Sequence, residues 1–153
     1  MELTAIQNQG VLISYLVLEM KVTLDQNTIE SINLFQNLTG SSVIDAITDE
    51  DEIYFVVAQG QYGSTVGKNG AKIKNAERVF KKNIKVLEYS ESAEEFIKNL
   101  VPDTQEFSVK DKIITVKVKP SDKAKIIGRA GKNIKIINKF LQRLFDIDEL
   151  KVK

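Results

Sequence analysis

The sequence predicts an α+β protein made of two tandem copies of one small unit. Each copy runs helix, strand, strand, short helix, Gly-x-x-Gly, helix, strand, giving a three-stranded sheet with helices on one face. Three observations predict this. A Gly-x-x-Gly stretch occurs twice, at Gly67 to Gly70 and at Gly128 to Gly131. At that offset the flanks align without a gap: Ile73 falls on Ile134, Ala76 on Ile137, Val79 on Phe140, Phe80 on Leu141, and Ile53–Val57 on Ile114–Val118. Strand-like apolar runs precede each stretch and helix-period apolar residues follow it, and a repeat of this kind governs the reading of everything else.

The elements follow in order. Met1 to Glu19 does not fit the repeat. Its apolar run Val11–Leu18 is too short for a bilayer, which needs about 20 apolar residues, and no Lys or Arg precedes it as in a secretory leader. Residues 1–19 suit an extra strand on a sheet edge, a partner-binding segment or a poorly ordered extension; they are read as an N-terminal extension without a function of its own, and Met20 as the start of the first unit. Asn27 to Leu38 carries apolar residues at helical spacing, with Asp25 or Asn27 to cap it and Gly40 to end it. Ser42–Thr48 and Glu52–Ala58 read as strands joined by an acidic turn at Asp49-Glu50-Asp51. Gly60 to Gly63 reads as a loop. After the first Gly-x-x-Gly, a helix over about Ala71 to Lys82 places Ile73, Ala76, Val79 and Phe80 inward. Asn83–Tyr89 is the closing strand of a unit spanning residues 20–89.

The second unit, residues 90–153, repeats the order. Ser92-x-x-Glu95 is a capping box ahead of Phe96, Ile97 and Leu100. Gln105–Val109 and Lys112–Lys119 form a hairpin. Pro120 opens a short helix ending at Gly128. Lys132–Leu144 is a long helix with Ile134, Ile137, Leu141 and Leu144 inward, and Leu150–Val152 closes the sheet. Units of about 60–70 residues bury modest cores, so the two are expected to pack together. The join at Ser90-Glu91 is too short for free tumbling, so the two turns are expected at a fixed separation.

Composition excludes whole classes of chemistry. The chain has neither cysteine nor histidine. Disulfides, thiolate metal sites, nearly all zinc chemistry and the Ser-His and Cys-His nucleophile arrangements are therefore ruled out. No cofactor is expected. Gly63-x-x-x-Gly67-Lys68 misses the Walker A spacing and has Asn69 where the magnesium-binding Ser or Thr would stand. The run Asp49 to Glu52 reads as a solvated hairpin tip rather than a metal cluster. No enzyme is indicated.

Net charge is only +1, but its distribution is uneven. Lys68, Lys72, Lys74, Arg78, Lys81, Lys82 and Lys85 stand around the first turn against Glu77 alone. Lys123, Lys125, Arg129, Lys132, Lys135, Lys139 and Arg143 stand around the second against Asp122 alone. Such local fields attract anions even when the total is neutral. Glycine lets a main chain press against a bulky group, and a helix that begins at the turn offers its first N–H groups to a phosphate.

The stretch Ile126-Ile127-Gly128-Arg129-Ala130-Gly131-Lys132-Asn133-Ile134 resembles the K homology (KH) motif. Thr65-Val66-Gly67-Lys68-Asn69-Gly70-Ala71-Lys72-Ile73 resembles it with a polar first position. A helix and hairpin before the motif and a strand after it look like the type II form, so the resemblance implies two tandem type II KH domains over residues 20–153. In that family the Gly-x-x-Gly loop clamps about four nucleotides of a single strand. Two joined type II units with little else resemble the archaeal NusA-like transcription factors. That resemblance implies termination or antitermination, single-stranded RNA and the transcription machinery as partners, and a cytoplasmic monomer away from membranes.

Carried onto this chain, the resemblance assigns RNA binding to Val66, Gly67, Lys68, Asn69, Gly70, Lys72 and Lys74 in the first unit. In the second it assigns Lys125, Ile127, Gly128, Arg129, Ala130, Gly131, Lys132 and Lys135. The glycines would bring main-chain N–H groups to phosphates, Lys68 and Arg129 would add charge within the clamps, and the other cations would extend the track. Val66 or Ile127 would offer an apolar platform for bases, with parts of Ile73 or Ile134, which also suit plain core positions. Two other readings stand beside this one: a KH protein of ribosome assembly or translation, and a protein-interaction module of KH shape.

Overall fold

The computed structural model describes residues 26–101 and 103–153. The extension over residues 1–19 and the first unit's opening at Met20 lie outside the described residues. The chain divides into two compact units, the first ending at Ser90 and the second running from Glu91 to Lys153.

In the first unit α1 (Gln26–Thr39) precedes the hairpin β1 (Val43–Thr48) and β2 (Glu52–Val57). Then come α2 (Tyr62–Val66), a single 3-10 turn Lys68–Gly70, α3 (Ala71–Phe80) and β3 (Asn83–Glu88). The strand order is β1-β2-β3, with β1 and β2 antiparallel and β2 and β3 parallel. Parallel pairing needs a crossover, and α2 with α3 provides it. The Gly-x-x-Gly turn therefore lies inside the crossover. Helical Tyr62 and Gly63 correct the expected loop, which ends at Gln61.

The core forms where the helices meet the middle strand. Phe35 of α1 stacks on Phe55 of β2 with ring centroids 3.9 Å apart and planes 7° from parallel. Phe80 leans on Phe55 at 5.9 Å. Both Phe35 and Phe55 are fully buried. Strand β2 is unusual in being covered on both faces. Tyr54 and Val56 alternate with Phe55 and are also buried. Burial, and next its hydrogen bond to Glu52, holds the Tyr54 phenol well above the ordinary tyrosine range. At the hairpin tip, Asp49 Oδ1 accepts hydrogen bonds from the main-chain N–H groups of Asp51 and Glu52, each at 2.9 Å. The acidic run is thus a turn-former.

The second unit contains α4 (Ala93–Leu100), β4 (Glu106–Lys110), β5 (Ile113–Lys117), α5 (Pro120–Ile127), a 3-10 turn Arg129–Gly131, α6 (Lys132–Phe145) and β6 (Glu149–Val152). Its sheet order, β4-β5-β6, repeats the antiparallel then parallel pattern. Ser92 caps α4 as the sequence indicates, its Oγ accepting from the Glu95 N–H at 3.3 Å. Lys112 does not open β5. It and Asp111 both have positive φ, 64° and 50°, and form the two-residue bend of a tight hairpin. The alternative, a strand from Lys112, lacks that bend.

The two long helices differ although their sequences align. Helix α6 buries Ile136, Ile137, Phe140 and Leu141, while Ile134 and Leu144 are half-buried. In α3 only Ala76 is fully buried, and Val79, the counterpart of Phe140, is exposed. This corrects the inward placement of Val79. Helix α3 is four residues shorter and stops at Lys81, which turns left-handed at φ 58°. Its inward stripe runs through half-buried Ile73, buried Ala76 and half-buried Phe80, and Val79 lies to the side of it.

Replacing Phe35 by Ala removes one face of the central stack. The expected cost is about 3–5 kcal/mol, read as a lower midpoint in urea unfolding. Val79→Ala, at an exposed site, is expected to change stability by less than about 0.5 kcal/mol.

Candidate nucleic-acid interface

Each unit carries one turn built to the same torsions. Gly67 has φ 80° and ψ 170°, and Gly128 has φ 76° and ψ 174°. This region of backbone space is essentially open to glycine only. The third residues, Asn69 and Ala130, are left-handed at φ 55° and 56°. Gly70 and Gly131 are left-handed too, each at φ 72°. Gly70 N–H bonds back to Gly67 O and Gly131 N–H to Gly128 O, both at 3.1 Å.

Clearance adds a second demand on the first glycine. A Cβ at Gly67 would lie 2.8 Å from Lys72 Cγ and 3.1 Å from the Lys72 nitrogen. At Gly128 it would lie 2.7 Å from Asn133 Cβ and 2.9 Å from the Asn133 nitrogen. The residue five positions on thus packs directly under the turn, where no side chain fits. Gly70 and Gly131 face no such crowding, their nearest neighbours being 4.0 and 3.9 Å away.

That packed residue also ties the turn down. Lys72 Nζ donates to Ser64 O at 3.0 Å and to Thr39 O at 3.1 Å. Asn133 Nδ2 donates to Ile126 O at 3.1 Å and to Lys125 O at 3.5 Å. In both units, then, the long helix reaches back to carbonyls near the end of the short one. Lys72 differs in this from the other candidate cations: its ammonium is engaged with main-chain oxygens of its own unit. Sequence reasoning missed this brace, as it missed Asn133. The aligned positions carry no shared residue type, so no pattern marks them. It also missed Thr65, fully buried with its hydroxyl donating to Gln61 O at 2.6 Å. Gln61 in turn accepts from the Ser42 N–H at 2.7 Å, which pins α2 to the start of β1.

The remaining candidates line up around the turns. Lys68, Asn69 and Lys74 are exposed in the first unit, as are Lys125, Arg129, Ala130 and Lys135 in the second. Lys132, Val66 and Ile127 are half-buried. Among the described residues, ion pairs join Lys85 to Glu52, Lys98 to Glu94, Lys112 to Asp146 and Lys151 to Glu149. None of these pairs involves Lys68, Lys74, Lys125, Arg129 or Lys135. Helices α3 and α6 have no acidic residue in their first turn, and the glycines before them provide no side-chain cap. The turns thus stand among exposed cations at the start of helices without acidic first-turn residues, an arrangement whose field favours anions. Among the described residues, no group of acidic side chains is placed to hold a metal ion, and no helix is long and apolar enough to cross a membrane.

Fold and site together define a class: a duplicated α+β protein with one braced, cationic Gly-x-x-Gly turn per unit. Known proteins place the chain more narrowly. It is 37% identical over 139 residues to a probable transcription termination protein NusA of Methanococcus vannielii, covering 87% of this chain and 80% of that one. The corresponding protein of Methanocaldococcus jannaschii is 30% identical, with 86% and 75% covered. That of Halococcus morrhuae is 30% identical, with 87% and 99% covered. The crystal structure of APE1850 superposes with a TM-score of 0.70 at 29% identity, covering 85% of this chain and all of that one. No family model matches the chain. The chain belongs to the family of archaeal NusA-type proteins.

Two glycines of one motif should respond differently. Gly128→Ala meets both forbidden torsions and a clash, and is expected to cost more than about 2 kcal/mol. Gly131→Asn needs only a left-handed residue and should cost less than about 1 kcal/mol. Urea unfolding of the two variants measures the difference.

Proposed function

We propose that the chain binds single-stranded RNA through its two Gly-x-x-Gly turns and acts as a NusA-like termination or antitermination factor. In this reading residues 20–89 and 90–153 are type II KH domains. The protein works as a cytoplasmic monomer beside the transcription machinery, without catalysis of its own. One observation carries the reading: two turns with matching torsions, each set among exposed cations that stand outside the ion pairs found among the described residues. The names of the relatives support transcription as the setting.

The chemistry follows from the geometry. Gly67 and Gly128 allow the long helix to pack directly beneath the turn, which holds the bend in the shape that would receive a phosphate. The positive dipole ends of α3 and α6 at the turns favour negative charge. Lys68 and Arg129 add charge inside the turns, and Lys74, Lys125, Lys132 and Lys135 continue it along the helices. Lys72 acts mainly beneath the turn, where it holds the main chain in place. Phosphate contacts position the strand, and contacts to base edges give preference.

Two measurements test this. The log–log salt dependence of RNA affinity should fall by about 0.7 per neutralised phosphate; a flat response rejects the electrostatic part. Changing Lys68-Asn69 and Arg129-Ala130 together to Asp pairs should weaken RNA binding while the circular dichroism spectrum stays native. All four positions are exposed, and Asp tolerates the left-handed torsion of the third residue. Unchanged affinity in the folded variant removes the turns from the function. Crosslinking in cells then separates nascent transcripts from ribosomal RNA as the bound species.

A further inference from the structure

Tyr62 and Gly63 open α2, the short helix that ends in the first turn. Each has a property that the fold does not call for. Tyr62 is 49% exposed, and it is the one aromatic among the large apolar side chains exposed in the described residues. Its main-chain N–H is held by Glu88 Oε1 at 3.0 Å, so the backbone beneath the ring is anchored. Among the described residues its phenol has no hydrogen-bond partner. Gly63 is stranger. Every other described glycine has a positive φ. Gly63 lies in a helix without one, and a Cβ there would meet nothing within 4 Å. Neither torsion nor packing requires glycine, although glycine in a helix costs about 1 kcal/mol against Ala.

Helical spacing places both residues with the turn. Tyr62 and Val66 are four apart, and Gly63 and Val66 three apart, so each is a surface neighbour of Val66, one on either side of it. Val66 leads directly into Gly67. An exposed ring beside a bare stretch of helix, one turn from a phosphate-binding bend, suits a planar, uncharged group next to a phosphate. A nucleobase of a single strand is such a group, and stacking on an aromatic side chain is a common way to hold one.

We propose that Tyr62 and Gly63 form a base-stacking shelf serving the first turn alone. Tyr62 supplies the face on which a base lies, and Gly63 leaves the room for it. The second unit has no such shelf: Lys123 and Ala124 occupy the aligned positions, and exposed Lys123 contacts the strand only as a charge. The two turns therefore hold RNA by different means, the first with an added base contact and the second by charge. This rests on the RNA-binding reading above and assigns one subsite within it.

The test uses short single-stranded poly(A) and poly(U). The chain contains no tryptophan, so Tyr62→Trp installs a single tryptophan at the shelf, excited selectively beyond the absorption of the remaining tyrosines. Its emission should change on titration with the same midpoint that anisotropy of labelled RNA gives. Tyr62→Ala should weaken binding by roughly 5- to 150-fold, the range for one stacked base, with an unchanged salt slope. Lys123→Ala should instead lower the salt slope. Gly63→Leu should keep or raise the thermal midpoint and still weaken binding, a combination that a purely structural glycine does not give. If the wild-type chain binds RNA while Tyr62→Ala and Gly63→Leu bind equally well and the tryptophan signal is unmoved, the shelf is refuted and the turns stand. If the wild-type chain binds neither polymer, the RNA-binding reading fails and the shelf with it.

Discussion

An absence of atoms governs this protein: nothing can occupy the Cβ position of Gly67 or Gly128. The long helix of each unit passes so close beneath that a methyl group would sit within 2.8 Å of a carbon of the residue five positions on. The torsions point the same way, because φ near 80° with ψ near 170° is closed to other residues. Both demands have one source. The chain must leave a short helix, reverse, and start a long one within four residues. The sharpness of that reversal puts the two middle residues of each turn on the surface, where Lys68, Asn69, Arg129 and Ala130 are all exposed.

The two units reach the same turn with different chemistry. In the first, the Lys72 ammonium bridges two carbonyls; in the second, the Asn133 amide does the work. The torsions agree within a few degrees regardless. What the fold requires is a donor on the long helix that reaches the end of the short one, and a flexible ammonium or a compact amide will serve. Around this shared centre the units diverge. Helix α6 is longer and buries Phe140, while α3 leaves Val79 exposed. The sheet of the first unit is covered on both faces at β2, where Tyr54 and Val56 are buried. In the second unit the strand facing outward alternates Ile113, Thr115 and Lys117, none of them fully buried.

Charge is organised by place rather than by total. A chain with net charge +1 is not drawn to polyanions as a whole. Its acidic residues take part in structure instead: Asp49 closes a hairpin, Glu94 pairs along α4, and Asp146 meets Lys112. Meanwhile Lys68, Lys74, Lys125, Arg129 and Lys135 stay outside these pairs. Exposed ion pairs contribute little stability, so their main effect here is on the field: among the described residues they neutralise cations away from the turns.

By itself the sequence determined the repeat, the order of elements, the strand pairs of both hairpins and the position of both turns. It could do so because each of these is local. Periodicity fixes a helix, alternation fixes a strand, and two glycines three apart mark a bend. Only the tertiary structure decided which apolar residues became core, since Val79 and Phe140 occupy aligned positions and differ in what covers them. It alone decided that Lys72 braces a turn rather than simply lining it, because the carbonyls it holds lie 8 and 33 residues away in the chain. It also set apart Gly63, whose lack of a side chain has no torsional or packing cause. Such facts depend on what stands next to a residue in space, and adjacency across a fold leaves no mark on local pattern.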